Sequence, residues 1–139
     1  MAFPQKTIYA LRAMYELAKR QGDGAVSIPI IAKAQGIPPR FLENILIQLK
    51  QAGLTQSIRG KEGGYLLRKP ADAVTVGDVL RAVDGPMDPV SCLGGETQET
   101  CPMHDDCVFL PMWQRAHEAM LAVYDGTSFA DLLRDGKNH

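Results

Sequence analysis

Residues 27–54 read SIPIIAKAQGIPPRFLENILIQLKQAGL, and the reading of this stretch decides the fold. Ser27 is an N-cap residue type, and Pro29 falls in the first helical turn, where a missing N–H costs little. The spacing predicts a short helix over 28–35, stopped by Gly36. A second helix is predicted from Pro39 to about Ala52, ended by Gly53. Its core face is Leu42, Ile45, Leu46 and Leu49, spaced i, i+3, i+4, i+7. The opposite face carries Arg40, Asn44, Ile47 and Gln51, with Glu43 and Gln48 on the flanks. Only Gly36-Ile37-Pro38 separates the two helices. Two helices joined by so short a turn form a helix–turn–helix, whose second helix can enter a DNA major groove.

Working outward, the residues before this stretch predict a helix over Gln5 to Lys19. Ile8, Leu11, Tyr15 and Ala18 lie on one stripe, widened by Ala10, Met14 and Leu17. After it come two strand candidates, Thr55–Arg59 and Gly64–Leu67. GKEGG joins them and allows a tight hairpin. A hairpin directly after a helix–turn–helix is a wing, with Arg59 and Lys61 at or near its tip, where they can reach phosphates or the minor groove. Further on, Thr75 and Asp78 form a capping box for a helix whose apolar stripe is Val76, Val79, Leu80 and Val83. A longer helix is expected over Pro111–Tyr124, with Trp113, Ala116, Met120, Val123 and Tyr124 on one side. Such a helix suits pairing with a second copy, or packing back on its own domain. A short last helix, Phe129–Arg134, is capped by Ser128. The expected class is therefore mainly α with a small β-hairpin. Residues 1–70 form the winged helix–turn–helix. Residues 71–139 hold a loop over 88–110 and the dimerisation helix, continuous with the first part.

Charge divides along the same line. Residues 1–70 hold 11 Lys+Arg against 4 Asp+Glu, which is +7, and residues 71–139 hold 4 against 12, which is −8. A basic half suits a polyanion such as double-stranded DNA. No apolar run reaches the roughly 18–20 residues that span a bilayer, so no membrane partner is expected. The N-terminus is too polar for a secretory signal, which gives a cytoplasmic expectation. No nucleophile–base pair and no phosphate loop is legible, so an enzyme is not expected.

All three cysteines lie in one polar loop, CLGGETQETCPMHDDC, residues 92–107. Structural free cysteines are normally buried among apolar neighbours, and these are not in such company. An odd number of thiols in a reducing compartment argues against a disulfide framework. Three readings of the loop stay open at this point. An iron–sulphur cluster takes thiolates and tolerates a different fourth ligand. Zinc suits Cys92, Cys101, His104 and Cys107 as a Cys₃His set, with Cys101-x2-His104-x2-Cys107 at zinc-like spacing. A metal-free thiol switch is the third. An iron–sulphur carrier or scaffold, whose basic half docks a protein, is a rival of another class. A carrier needs neither the wing nor the +7 half.

YALRAMYELA, IAKAQGIPPRFLENILIQLKQAGL, SIRGKEGGYLL, VTVGDVLRAVDGP and the three-cysteine loop follow one another over about residues 1–135. In this order they resemble the bacterial winged-helix repressors typified by the iron–sulphur cluster regulator IscR and the nitric oxide sensor NsrR. The resemblance implies a homodimer on operator DNA, with Arg59 in the DNA-contacting wing. It also implies a 2Fe-2S or 4Fe-4S cluster held by Cys92, Cys101 and Cys107. Arg40, Glu43, Asn44, Arg59 and Lys61 are the candidate DNA contacts. One departure from the family pattern matters. Some members use a histidine three residues after the third cysteine, and here that residue is Leu110. Others use a carboxylate near position 8, and here Ile8 follows Thr7. His104, water, a small thiol or a side chain such as Glu16 is then left for the fourth position. His117 is expected on the helix surface and His139 at a terminus.

Overall fold

A computed structural model describes residues 3–85, 87 and 107–136. Helices α1 (Gln5–Lys19), α2 (Ile28–Gln35) and α3 (Pro39–Gln51) precede the hairpin β1 (Thr55–Ile58) and β2 (Gly64–Leu67). A 3₁₀ turn at Ala71–Ala73 leads to α4 (Val76–Asp84), and α5 (Leu110–Asp125) and α6 (Phe129–Gly136) close the chain. The strands are antiparallel, pairing Thr55 with Leu67 through Ile58 with Gly64. Val26 adds a third edge by pairing with Tyr65, through two hydrogen bonds of 2.8 Å. The wing is thus sewn to the residue just before the helix–turn–helix begins.

The core has α3 at its centre. Leu42, Ile45, Leu46 and Leu49 are all buried, as their spacing predicts. They meet Ala10, Met14 and Leu17 of α1, Ile31 of α2, Val79 of α4 and Phe129 of α6 in one cluster. On α1 the buried face is displaced from the expected stripe. Ile8, Leu11 and Tyr15 are only partly buried, while Ala10, Ala13, Met14, Leu17 and Ala18 are inside. Helices pack against α1 from several sides, and small alanines allow the closer approach.

Ser27 takes the extended N-cap conformation but makes no side-chain cap. Pro29 stands at the second helical position and has no N–H to offer it. Both acidic capping boxes do form. Asp78 N–H donates to Thr75 Oγ1 at 3.1 Å, and Asp131 N–H donates to Ser128 Oγ at 3.1 Å, each with the reciprocal backbone bond. Thr75 and Ser128 also pair with each other, so α4 and α6 start side by side.

One buried charge joins α1 to α2. Glu16 is 1% exposed. Gln35 Nε2 donates to its Oε1 at 2.8 Å and Arg20 Nε donates to its Oε2. Burial opposes the charge, but the hydrogen bonds from Arg20 and Gln35, with the charges of Arg20 and Lys19, hold the carboxyl below its ordinary 4.5. A depressed carboxyl stabilises the fold fully above its unfolded-state pKa, and that contribution fades as pH falls through the folded value. The urea midpoint of the parent should therefore exceed that of Glu16→Gln at neutral pH. The gap should hold down to about pH 5 and close below 4.5. Parallel curves for the two proteins, followed by fluorescence, would show that the carboxylate charge contributes nothing.

Candidate nucleic-acid interface and sensor loop

Because four leucines and isoleucines of α3 face inward, the opposite face is turned out. Arg40, Glu43, Asn44 and Ile47 are all exposed there. Thr55 Oγ1 donates to the Leu46 carbonyl at 3.3 Å, and Lys50 Nζ donates to Ser57 Oγ at 2.8 Å, so β1 is tied to α3 twice. The hairpin is thereby anchored to the reading helix. The Arg40 guanidinium lies over the Phe41 ring at 4.8 Å, and Phe41 stacks on Tyr9 of α1 at 6.3 Å between centroids. A cavity of about 430 Å³ opens beside this pair, lined by Lys6 and Tyr9 of α1 and Phe41, Asn44, Ile45 and Gln48 of α3.

Arg59 and Lys61 are exposed, in the loop between the strands. The loop is tight: Gly63 N–H donates to the Gly60 carbonyl at 3.1 Å. The structure therefore sets Arg40, Asn44, Arg59 and Lys61 out into solvent on the helix and hairpin where the pattern predicts them. Phe41 did not stand out in the sequence, because an aromatic residue beside a core leucine reads as part of the core stripe.

The cysteine-bearing segment connects α4 to α5 in the sequence. Arg81 holds Asp125 by two hydrogen bonds, 2.8 and 2.6 Å, which joins the second half of α4 to the far end of α5. The end of α5 also lies against Gly77, near the start of α4. The α4 helix also packs on both α1 and α3, so the loop is one helix away from the reading helix. Cys92, Cys101 and His104 lie outside the described residues, as does His139. Cys107 is half-buried just ahead of α5, where its carbonyl accepts from Leu110 N–H at 3.3 Å. Its place is set by the helix start and not by the apolar core, which fits a ligand role. Of the remaining fourth-ligand positions, Ile8 and Leu110 are half-buried hydrocarbon, His117 sits half-buried on α5, and both Glu16 oxygens are engaged by Arg20 and Gln35. Glu16 is thus committed to the α1–α2 junction.

No residue of α5 is buried. Val108 is 82% exposed, Phe109 58% and Val123 63%. Among the described residues no helix is long and apolar enough to cross a membrane.

Comparison with known proteins agrees with this geometry. A profile of the Rrf2 family, described as iron-dependent transcriptional regulator, matches residues 3–135. The transcriptional regulator CymR of Bacillus subtilis is 37% identical over 132 residues, covering 95% of this chain and 89% of its own. The regulator IscR of Yersinia enterocolitica is 35% identical over 135 residues, covering 97% and 80%. Among solved structures, CymR of B. subtilis, described as its global cysteine regulator, superposes with a TM-score of 0.77 at 36% identity, covering 95% of each chain. IscR of T. potens gives 0.74 at 29% identity, covering 98% of this chain and 88% of its own. These relatives are named as transcriptional regulators and not as enzymes. With a helix–turn–helix, a wing and a matching profile over nearly its whole length, this chain belongs to the Rrf2 family of DNA-binding transcriptional regulators.

Proposed function

We propose that this chain is a homodimeric repressor of operator DNA, controlled through an iron–sulphur cluster held by Cys92, Cys101 and Cys107. The observation that carries the sensing half is that every thiol lies in the one polar segment that connects the reading body to the exposed helix. Three thiols gathered in one polar segment repel one another as thiolates unless a cation neutralises them. A cluster, when bound, would supply a centre sensitive to iron supply, redox state or nitric oxide. This chain's residues would bring the consequence to DNA. Any shift of Cys107 is a shift of the start of α5, and α4 at the loop's other end packs on α3. Two reading heads spaced by α5 would then approach or separate. Dimerisation rests on α5, of which no residue is buried among the described residues and on which Met112 and Val123 stand exposed. The cytoplasm is the compartment in which such a protein meets its operator. Zinc in a Cys₃His set with His104 is the second reading, favoured by the Cys101-x2-His104-x2-Cys107 spacing.

The DNA half is tested on an operator duplex enriched from a random library, against a scrambled duplex, over several salt concentrations. Log affinity should fall linearly with log salt, by about 0.9 per neutralised phosphate. Arg40→Ala and Asn44→Ala should each cost roughly 1–3 kcal/mol and relax preference at one base pair. Lys61→Ala should weaken both duplexes alike and lower the salt slope by about one. Equal affinity for the two duplexes, with and without bound metal, would reject sequence-specific regulation.

A further inference from the structure

The recognition surface carries large apolar side chains as well as polar ones. Phe41 is 46% exposed and Ile47 39%. They lie three residues before and three after Asn44, the spacing that makes side chains neighbours on a helix. Phe41 is not loose. Tyr9 stacks behind it, the Arg40 guanidinium lies over its ring, and the cavity of about 430 Å³ opens beside it with Asn44 in its lining. In the major groove an asparagine amide suits adenine, and the thymine paired with that adenine shows a C5-methyl group in the same groove. An apolar surface held beside the adenine-reading amide has an apolar counterpart within reach.

We propose that Phe41 and Ile47 are specificity-determining residues that take thymine methyl groups beside an adenine read by Asn44. The proposal deepens the operator-binding reading and rests on it. It gives each half-site an A·T pair recognised on both strands, by hydrogen bonding on one and by methyl burial on the other.

The test uses the enriched duplex with each thymine replaced singly by deoxyuridine, which keeps the hydrogen-bonding edge and removes the methyl. The parent should lose about four-fold in affinity (about 0.8 kcal/mol) at one or two thymines beside the essential adenine. Phe41→Ala or Ile47→Ala should abolish that sensitivity at its own position and leave the other intact. Phe41→Leu, which keeps an apolar surface, should retain it. A residue that only props Arg40 would weaken binding without erasing the response to one methyl. A parent that tells its site from a scrambled duplex yet ignores every deoxyuridine overturns the proposal. So does a methyl response that survives in both alanine variants. A library from which no sequence is enriched removes the operator-binding reading, and the proposal falls with it.

Discussion

Replacing Gly64 with alanine should lower stability by roughly 2–6 kcal/mol, the sum of backbone strain and overpacking at about 1–3 kcal/mol each. Gly64 opens β2 with φ +152, a region that side chains other than glycine's rarely enter. A Cβ there would stand 2.2 Å from the Val26 carbonyl oxygen and 2.7 Å from the Ser27 nitrogen. Both are backbone atoms and neither can swing aside. The next residue, Tyr65, makes the two 2.8 Å bonds to Val26. The intruding methyl would therefore prise the wing from the start of α2. A loss of that size is a large share of the roughly 5–15 kcal/mol that holds a domain together. Gly60→Ala is the control, because its φ of +114 imposes strain while nothing lies within 4 Å. Chemical denaturation should show Gly64→Ala losing clearly more than Gly60→Ala. Equal losses would mean that the Val26 seam has room to give.

Alanine at any one of Cys92, Cys101 or Cys107 should remove the cluster altogether. Parent protein prepared without oxygen should show visible absorption and contain both iron and acid-labile sulphide, and each single variant should show neither. Misfolding is separable from ligand loss. Cys107 lies outside the apolar cluster that holds α1, α3 and α4 together. Its replacement should leave the metal-free denaturation midpoint within about 0.5 kcal/mol of the parent, as for other substitutions away from a core. His104→Ala then reports on the fourth position. A changed spectrum, or a site newly open to added thiols, would assign His104 as a ligand. Stoichiometric zinc without sulphide, from cells grown with ample iron and no oxygen, would replace the cluster with the Cys₃His zinc site.

Much of the reading body was legible because its signals are local. Leu42, Ile45, Leu46 and Leu49 repeat at helical spacing, and Thr75-x-x-Asp78 is a cap complete within four residues. Both appear as predicted. The strand ends differ by a residue, with β1 ending at Ile58 and not Arg59, where the chain turns at Gly60. What failed depended on neighbours distant in sequence. The buried face of α1 is chosen by helices packing on it from several directions, and periodicity alone centred it one stripe away, on Ile8 and Leu11. Glu16, weighed from the sequence as a fourth ligand, is instead met by Gln35, 19 residues on. The Val26–Tyr65 pairing links residues on either side of the whole helix–turn–helix. The candidate sensing residues stand out as chemistry, three thiols in a polar segment, but Cys92, Cys101 and His104 fall outside the described residues.

The side-by-side starts of α4 and α6 carry an evolutionary consequence. Val76 N–H donates to the Thr127 carbonyl at 2.9 Å, and Phe129 N–H donates to the Val74 carbonyl at 3.0 Å. The chain leaves and rejoins the body at neighbouring points, with Arg81 and Asp125 clasped just beyond them. None of these contacts uses a residue between Asp84 and Leu110, so they can form whatever the length of that segment. Doubling such a segment costs only about 0.6 kcal/mol in closure entropy. Residues inserted, deleted or exchanged there should leave α4 packed on α3. A fold of this plan leaves its DNA-reading body open to a change of connecting segment, and chimeras that graft a relative's segment between Asp84 and Leu110 should fold on the same body.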